Sequence, residues 1–228
     1  MNKLASPLVA LALAVTAAGM PHAQSAAERF DYLVREDMFR GYAGDTAALE
    51  RAMALCAARL AENPEHAEAL VWHGNGLLFL SGQAFRLGDH DKGTALAQTA
   101  VIEMGKAVAL RPDDVGILVA RGAGMLAAAM RLPDARGRPL VTTAVGDFER
   151  VLALQQPYFA SLARHPKGEL LAALAEGWSR LGDARKSRGY LARMVEELPD
   201  TPYAAAALTR LDDPGASSRI TCLGCHAR

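Results

Sequence analysis

Near the end of the sequence stand Cys222, Leu223, Gly224, Cys225 and His226. Two thiols separated by two residues, with an imidazole directly after the second, form the attachment pattern of a c-type haem. The thiols reach the two vinyl groups of one porphyrin, and the imidazole reaches the iron from the same side. Gly224 leaves room for the backbone to pass close to the ring. The pattern nominates Cys222 and Cys225 as attachment points for haem c and His226 as an axial ligand. Two other chemistries use the same atoms. A CxxC pair outside the cytoplasm closes to a disulfide or exchanges with other thiols. Zinc is the third reading, although three side chains leave a tetrahedral site one ligand short and adjacent Cys-His closes it poorly. Only Ala227 and Arg228 follow in this sequence, so a second ligand to a haem iron is expected from the body of the chain or from a partner. His66, His73, His165 and several methionines are candidates by type. The remaining cysteine, Cys56, falls in a helical stretch and reads as a buried, inert thiol.

The compartment matters for all three chemistries. Lys3 supplies a positive start, residues 8–18 form a short apolar run, and small residues follow. Residues 1–23 therefore read as a signal peptide, with cleavage after Ala23 or Ser25. The run is shorter than the roughly 20 residues a membrane-crossing helix needs. No second stretch of that length occurs, so the mature form is expected without a membrane span, in the periplasm or secreted.

Lys plus Arg and Asp plus Glu number 25 each in the 228 residues, which gives no electrostatic case for nucleic acid or an anionic surface. There is no phosphate loop, no His-Glu metal motif on a helix and no recognisable nucleophile signature. Acidic neighbours such as Glu36 and Asp37 read as a solvated helix face. An enzyme is not expected.

Alanine and leucine dominate, which favours helices throughout. Four segments share one ending: an amphipathic helix stops at Pro64, Pro112, Pro157 or Pro199, and another helix begins soon after. A small residue lies twelve positions before the proline in three of them, at Ala52, Ala100 and Ser187. The tetrapeptide Arg-Leu-Gly-Asp occurs twice, at 86–89 and 180–183, where it reads as a turn between paired helices. From Leu70 to Pro112 is 42 positions, against 28 from Leu171 to Pro199, and the excess divides equally around the turn. Seven extra residues on each arm are about two helical turns, so a pair lengthened evenly is expected. Residues 132–139, which contain Pro133, Gly137 and Pro139, read as a loop.

The unit from Glu169 to Pro199 resembles the tetratricopeptide repeat. Leu171, Leu174, Ala175 and Trp178 occupy its first helix, Gly182 and Asp183 its turn, and Ser187, Leu191 and Pro199 its second helix and stop. Ala175 replaces a glycine and Ser187 an alanine, both small, where the helices touch. Leu70, Gly74, Leu77, Ala100 and Met104 follow the same grid, as do Leu118, Gly122, Met125, Ala144 and Phe148. The resemblance implies an all-α, tetratricopeptide-like solenoid of helix hairpins with one pair lengthened, over residues 26–211. It also implies a groove, lined from first helices, that takes a protein partner or peptide. Trp72, His73 and Arg121 lie on first helices, and packing is the ordinary role for each. Residues 26–42 read as an opening helix, and residues 212–228 as a flexible tail carrying the CxxCH motif.

Overall fold

The computed structural model describes residues 29–216. Among these, regular structure is entirely helical: α1 (Asp31–Tyr42), α2 (Thr46–Glu62), α3 (Ala67–Arg86), α4 (His90–Leu110), α5 (Val115–Ala129), α6 (Asp134–Gln155), α7 (Arg164–Leu181), α8 (Ala184–Glu197) and α9 (Pro202–Asp212). A short 3-10 helix, Gln156–Ser161, follows α6 and carries Pro157 in its first turn. Consecutive helices pair as α1/α2, α3/α4, α5/α6 and α7/α8, and α9 closes the stack against α8. Each second helix also touches the first helix of the next pair, while α1, α3, α5 and α7 touch in succession. That is an open stack of helix hairpins.

The turns are encoded locally. Gly88 and Gly182 sit at φ +81° and +87°, where a side chain would be strained, and end α3 and α7. The aspartate that follows starts the next helix: Asp89 accepts the Lys92 N–H at 3.1 Å, and Asp183 accepts that of Lys186 at 2.9 Å. The first hairpin uses the same device at Gly44 and Asp45. Each of the four prolines at 64, 112, 157 and 199 lies just past a second helix, as the pattern predicts.

Small residues mark the close crossings. Ala52, Ala100 and Ser187 are all buried, and the Ser187 hydroxyl donates to the Ala175 carbonyl at 2.8 Å. A Cβ on Gly74 would lie 2.7 Å from Met104 Cγ, and one on Gly122 would press on the Phe148 ring at 3.0 Å. Leu171, Leu174 and Met194 fill the space between α7 and α8 and are completely buried.

The expected even lengthening is found on one arm only: α4 has 21 residues against 14 in α8, but α3 has 20 against 18 in α7, because α7 starts at Arg164, seven residues ahead of Leu171. The loop expected at 132–139 is not found. Only Leu132 and Pro133 form a turn, and α6 begins at Asp134 and carries Pro139 inside it. The Arg136 and Gly137 amides both donate to the Pro133 carbonyl at 2.9 Å and close the first turn. Proline 139 then lacks only the bond to Ala135. Burial of Gly137, Val141, Ala144, Val145 and Phe148 on one face outweighs that loss. As a result α6, with 22 residues, is as long as α4. The opening helix, α1, is the partner of α2 and completes the first hairpin.

Candidate functional site

The first helices of the pairs present one continuous groove of about 1340 Å3. Its lining is mostly apolar and includes Phe39 from α1, Trp72 and Phe79 from α3, Val119 and Ala123 from α5, and Leu170 from α7. Pockets that enclose drug-sized ligands run to about 300–1,000 Å3, so this one has room for a peptide segment or a porphyrin. The aromatic end is held by edge contacts. Phe39 meets Trp72 at 6.0 Å between ring centroids, and Tyr42 meets Phe79 at 4.9 Å. Burial raises the Tyr42 phenol well above its ordinary value, so it stays protonated. Asn75 ties two walls together, donating from Nδ2 to the carbonyls of Val71 on α3 and Ala120 on α5, each at 3.0 Å.

Part of the lining remains open to solvent. Val119 is 39% exposed and Met130 46%. Both add apolar surface to the groove lining.

Of the first-helix residues named from sequence, Trp72 lines the groove and is 9% exposed. The other two turn toward their paired helices. The His73 Nδ1 lies 2.7 Å from a Glu103 carboxylate oxygen on α4. Arg121 grips Asp147 on α6 with two hydrogen bonds, Nε to Oδ2 being 2.8 Å. Burial pushes the Asp147 carboxyl up despite that guanidinium. Cys56 is buried, and burial pushes its thiol up to about 12, which keeps it out of thiolate chemistry. Asp37 accepts from Arg51 on the surface, as a solvated helix face does.

No family model, curated protein or solved structure matches this chain.

Cys222, Cys225 and His226 lie outside the described residues, as do residues 1–23. Among the described residues no three His, Cys, Asp or Glu side chains are grouped to hold a metal ion, and no helix is long and apolar enough to cross a membrane. The candidate second ligands are separated by their surroundings. His66 caps α3 by accepting the Ala69 N–H on Nδ1 at 3.2 Å. His165, at the start of α7, lines the groove and is 57% exposed. Its Nδ1 lies 2.8 Å from the Tyr203 hydroxyl, which donates to the Glu169 carboxylate at 2.7 Å. Tyr203 is on α9, 38 residues away, and no local signal in the sequence links the two. An Asn in the apolar face of α3, by contrast, was a legible sign that Asn75 has backbone partners to serve.

Proposed function

We propose that this chain is an exported scaffold of the tetratricopeptide type, which holds a protein segment in the groove of its first helices and carries one haem c on its tail. The reading takes residues 1–23 as a cleaved signal, places the mature protein in the periplasm or outside the cell, and assigns it binding rather than catalysis. The observation that carries it is the apolar groove itself, with Val119 and Met130 left open to solvent inside it. Side chains of this kind lose the most water on contact, at roughly 25 cal/mol per Å2 of apolar surface.

Cys222 and Cys225 would hold the haem, each thiol by a thioether bond to one vinyl-derived carbon. His226 would supply an imidazole to the iron. The groove is apolar and about 1340 Å3 in volume, which supports binding of a protein segment. When bound, haem c supplies one-electron transfer; the protein holds it and presents it to a partner. In the alternative arrangement, electron transfer is the primary function and the repeats are its docking surface. The same motif supports both.

Two measurements test the proposal. The intact mass of protein exported from cells able to attach haem is expected to show loss of the leader and gain of one haem. A photo-reactive residue at Val119 is expected to crosslink a native partner, whereas one at Ile102, exposed but outside the groove, is not. Equal crosslinking at both positions would remove the groove from the function.

A further inference from the structure

We infer that the partner of the groove is an acidic protein segment, whose apolar side chains fill the groove and whose carboxylates cross the arginine-rich edge formed by the turns of the last two hairpins. The inference rests on the groove as a protein-binding surface and deepens it by giving the partner its charge.

A balanced total hides an uneven distribution. Lysines and arginines number 25 in the chain, as do aspartates and glutamates. Residues 131–138 and 180–188, which hold the α5/α6 and α7/α8 turns and the helix ends beside them, contain seven cations and two acids. Residues 59–68 and 193–200, at the opposite ends of the helices, contain two cations and six acids. The two basic turns form one surface, because Arg138 donates to the Leu181 carbonyl and Arg180 to the Ala129 carbonyl, each at 3.2 Å.

Most of these cations are not neutralised within the fold. Arg180 meets Asp134 at 3.3 Å and Lys186 meets Glu149 at 3.8 Å. Among the described residues Arg131, Arg136, Arg138, Arg185 and Arg188 have no acidic partner, and all five are exposed. Nor do Arg136 and Arg185 serve their helices. They stand in the first turns of α6 and α8, where the peptide dipoles favour an acid over a cation. Clustered like charges cost stability unless an anion covers them.

This edge is continuous with the groove. Met130, Arg131 and Leu132 belong to the groove lining, as does Arg86 at the corresponding end of α3. The acids of the lining are already engaged: Asp31 accepts from Arg29 at 2.9 Å, and Glu169 accepts from Tyr203 at 2.7 Å. Any segment that crosses the rim therefore meets uncompensated positive charge. From Val119 to Arg131 is twelve positions, about 18 Å along the line of α5. An apolar stretch of that length followed by carboxylates matches both surfaces at once.

Other polyanions match only one of them. Single-stranded nucleic acid stacks its bases on aromatic side chains, and residues 131–138 and 180–188 contain none. An anionic membrane would cover the edge and leave the groove, which runs across the first helices, empty.

The test uses the full mature chain and two synthetic peptides that share a leucine-rich amphipathic half, one continued by glutamates and the other by lysines. Binding is read by fluorescence anisotropy. The glutamate peptide is expected to bind about tenfold tighter or more, an advantage that shrinks as salt rises from about 0.05 to about 0.3 M. Arg131→Glu combined with Arg136→Glu is expected to abolish that preference. The same reversal at Lys106, on the opposite edge, is expected to leave it intact. Both arginines are exposed, so the fold tolerates the change, which circular dichroism checks. Val119→Gln is expected to weaken both peptides, because it acts on the groove. Equal affinity for the two peptides, or a preference that survives the arginine reversals, overturns the acidic partner and leaves the groove standing if Val119→Gln still weakens both. Failure of both peptides to bind, or indifference of both to Val119→Gln, overturns the groove and the inference together. Phosphatidylglycerol vesicles or an oligothymidylate that bind through Arg131 and Arg136 more tightly than the glutamate peptide overturn the inference and assign the edge to lipid or nucleic acid. An arginine-dependent dimer in sedimentation at low salt overturns it in favour of a second copy of the chain.

Discussion

His66 illustrates how one side chain couples local structure to pH. It caps α3 through Nδ1, and its ring packs against Phe30 at 5.2 Å between centroids. Burial holds its pKa below the ordinary value, and the Arg59 and Arg111 cations act in the same direction against Glu68. The folded state thus prefers the neutral ring. Below the ordinary histidine value of about 6.5 the unfolded chain binds a proton that the folded chain resists. Stability is therefore expected to fall as pH drops through that value toward the lower folded pKa. His66→Asn keeps a capping acceptor and cannot titrate. Urea denaturation is expected to put it within about 1 kcal/mol of wild type at pH 7.5, with a flatter loss between pH 7 and 5. A variant as pH-sensitive as wild type would mean that other groups carry the effect.

Each hairpin is joined along its length as well as at its turn. In α5/α6 the joint is the Arg121–Asp147 pair, with Asp147 almost fully buried and its carboxyl pushed up by that burial. Removing one partner of such a pair strands the other charge. Arg121→Met is expected to destabilise the protein by about 3–5 kcal/mol at pH 7. The loss should shrink as pH falls, because Asp147 takes up a proton more readily in the folded state than in the unfolded chain and the stranded charge disappears. The double variant Arg121→Met with Asp147→Leu is expected to recover most of the loss, as measured by urea denaturation. A double variant as weak as the single one would show that the pair is more than a charge balance. Helix α6 makes a related point about elements. Its proline would break an isolated helix, and a buried face packed on α5 and α7 holds it together.

At the scale of the molecule the stack is a chain of neighbours. Each hairpin touches the next, so stability is close to a sum of unit and interface terms, and disturbance at one end stays near that end. The closing helix α9 tests this. Ala207 is completely buried and Arg210 reaches Glu176 on α7 at 3.1 Å. Ala207→Asp puts a charge in that interface and is expected to cost about 2 kcal/mol or more locally. Hydrogen exchange should rise in α7–α9 and stay near wild type in α1–α4. Uniform loss of protection would show the stack to be one cooperative unit instead.

Much of this organisation was legible in the sequence because it is locally encoded. A glycine that alone tolerates positive φ, an aspartate that caps and a proline that stops a helix act within a few residues, so turns, pairing and the long α4 could be read from 86–89, 180–183 and the four prolines. The helix over 134–139 could not, since local chemistry argues for a loop there and only burial between neighbouring helices reverses it. Nor could the sequence rank His66, His73 and His165. What separates them is which ring nitrogen is engaged and which face is open, and for His165 that depends on Tyr203 arriving from another helix. Tertiary structure decides such matters because a hydrogen-bond partner is chosen by distance in space, which spacing along the chain does not record.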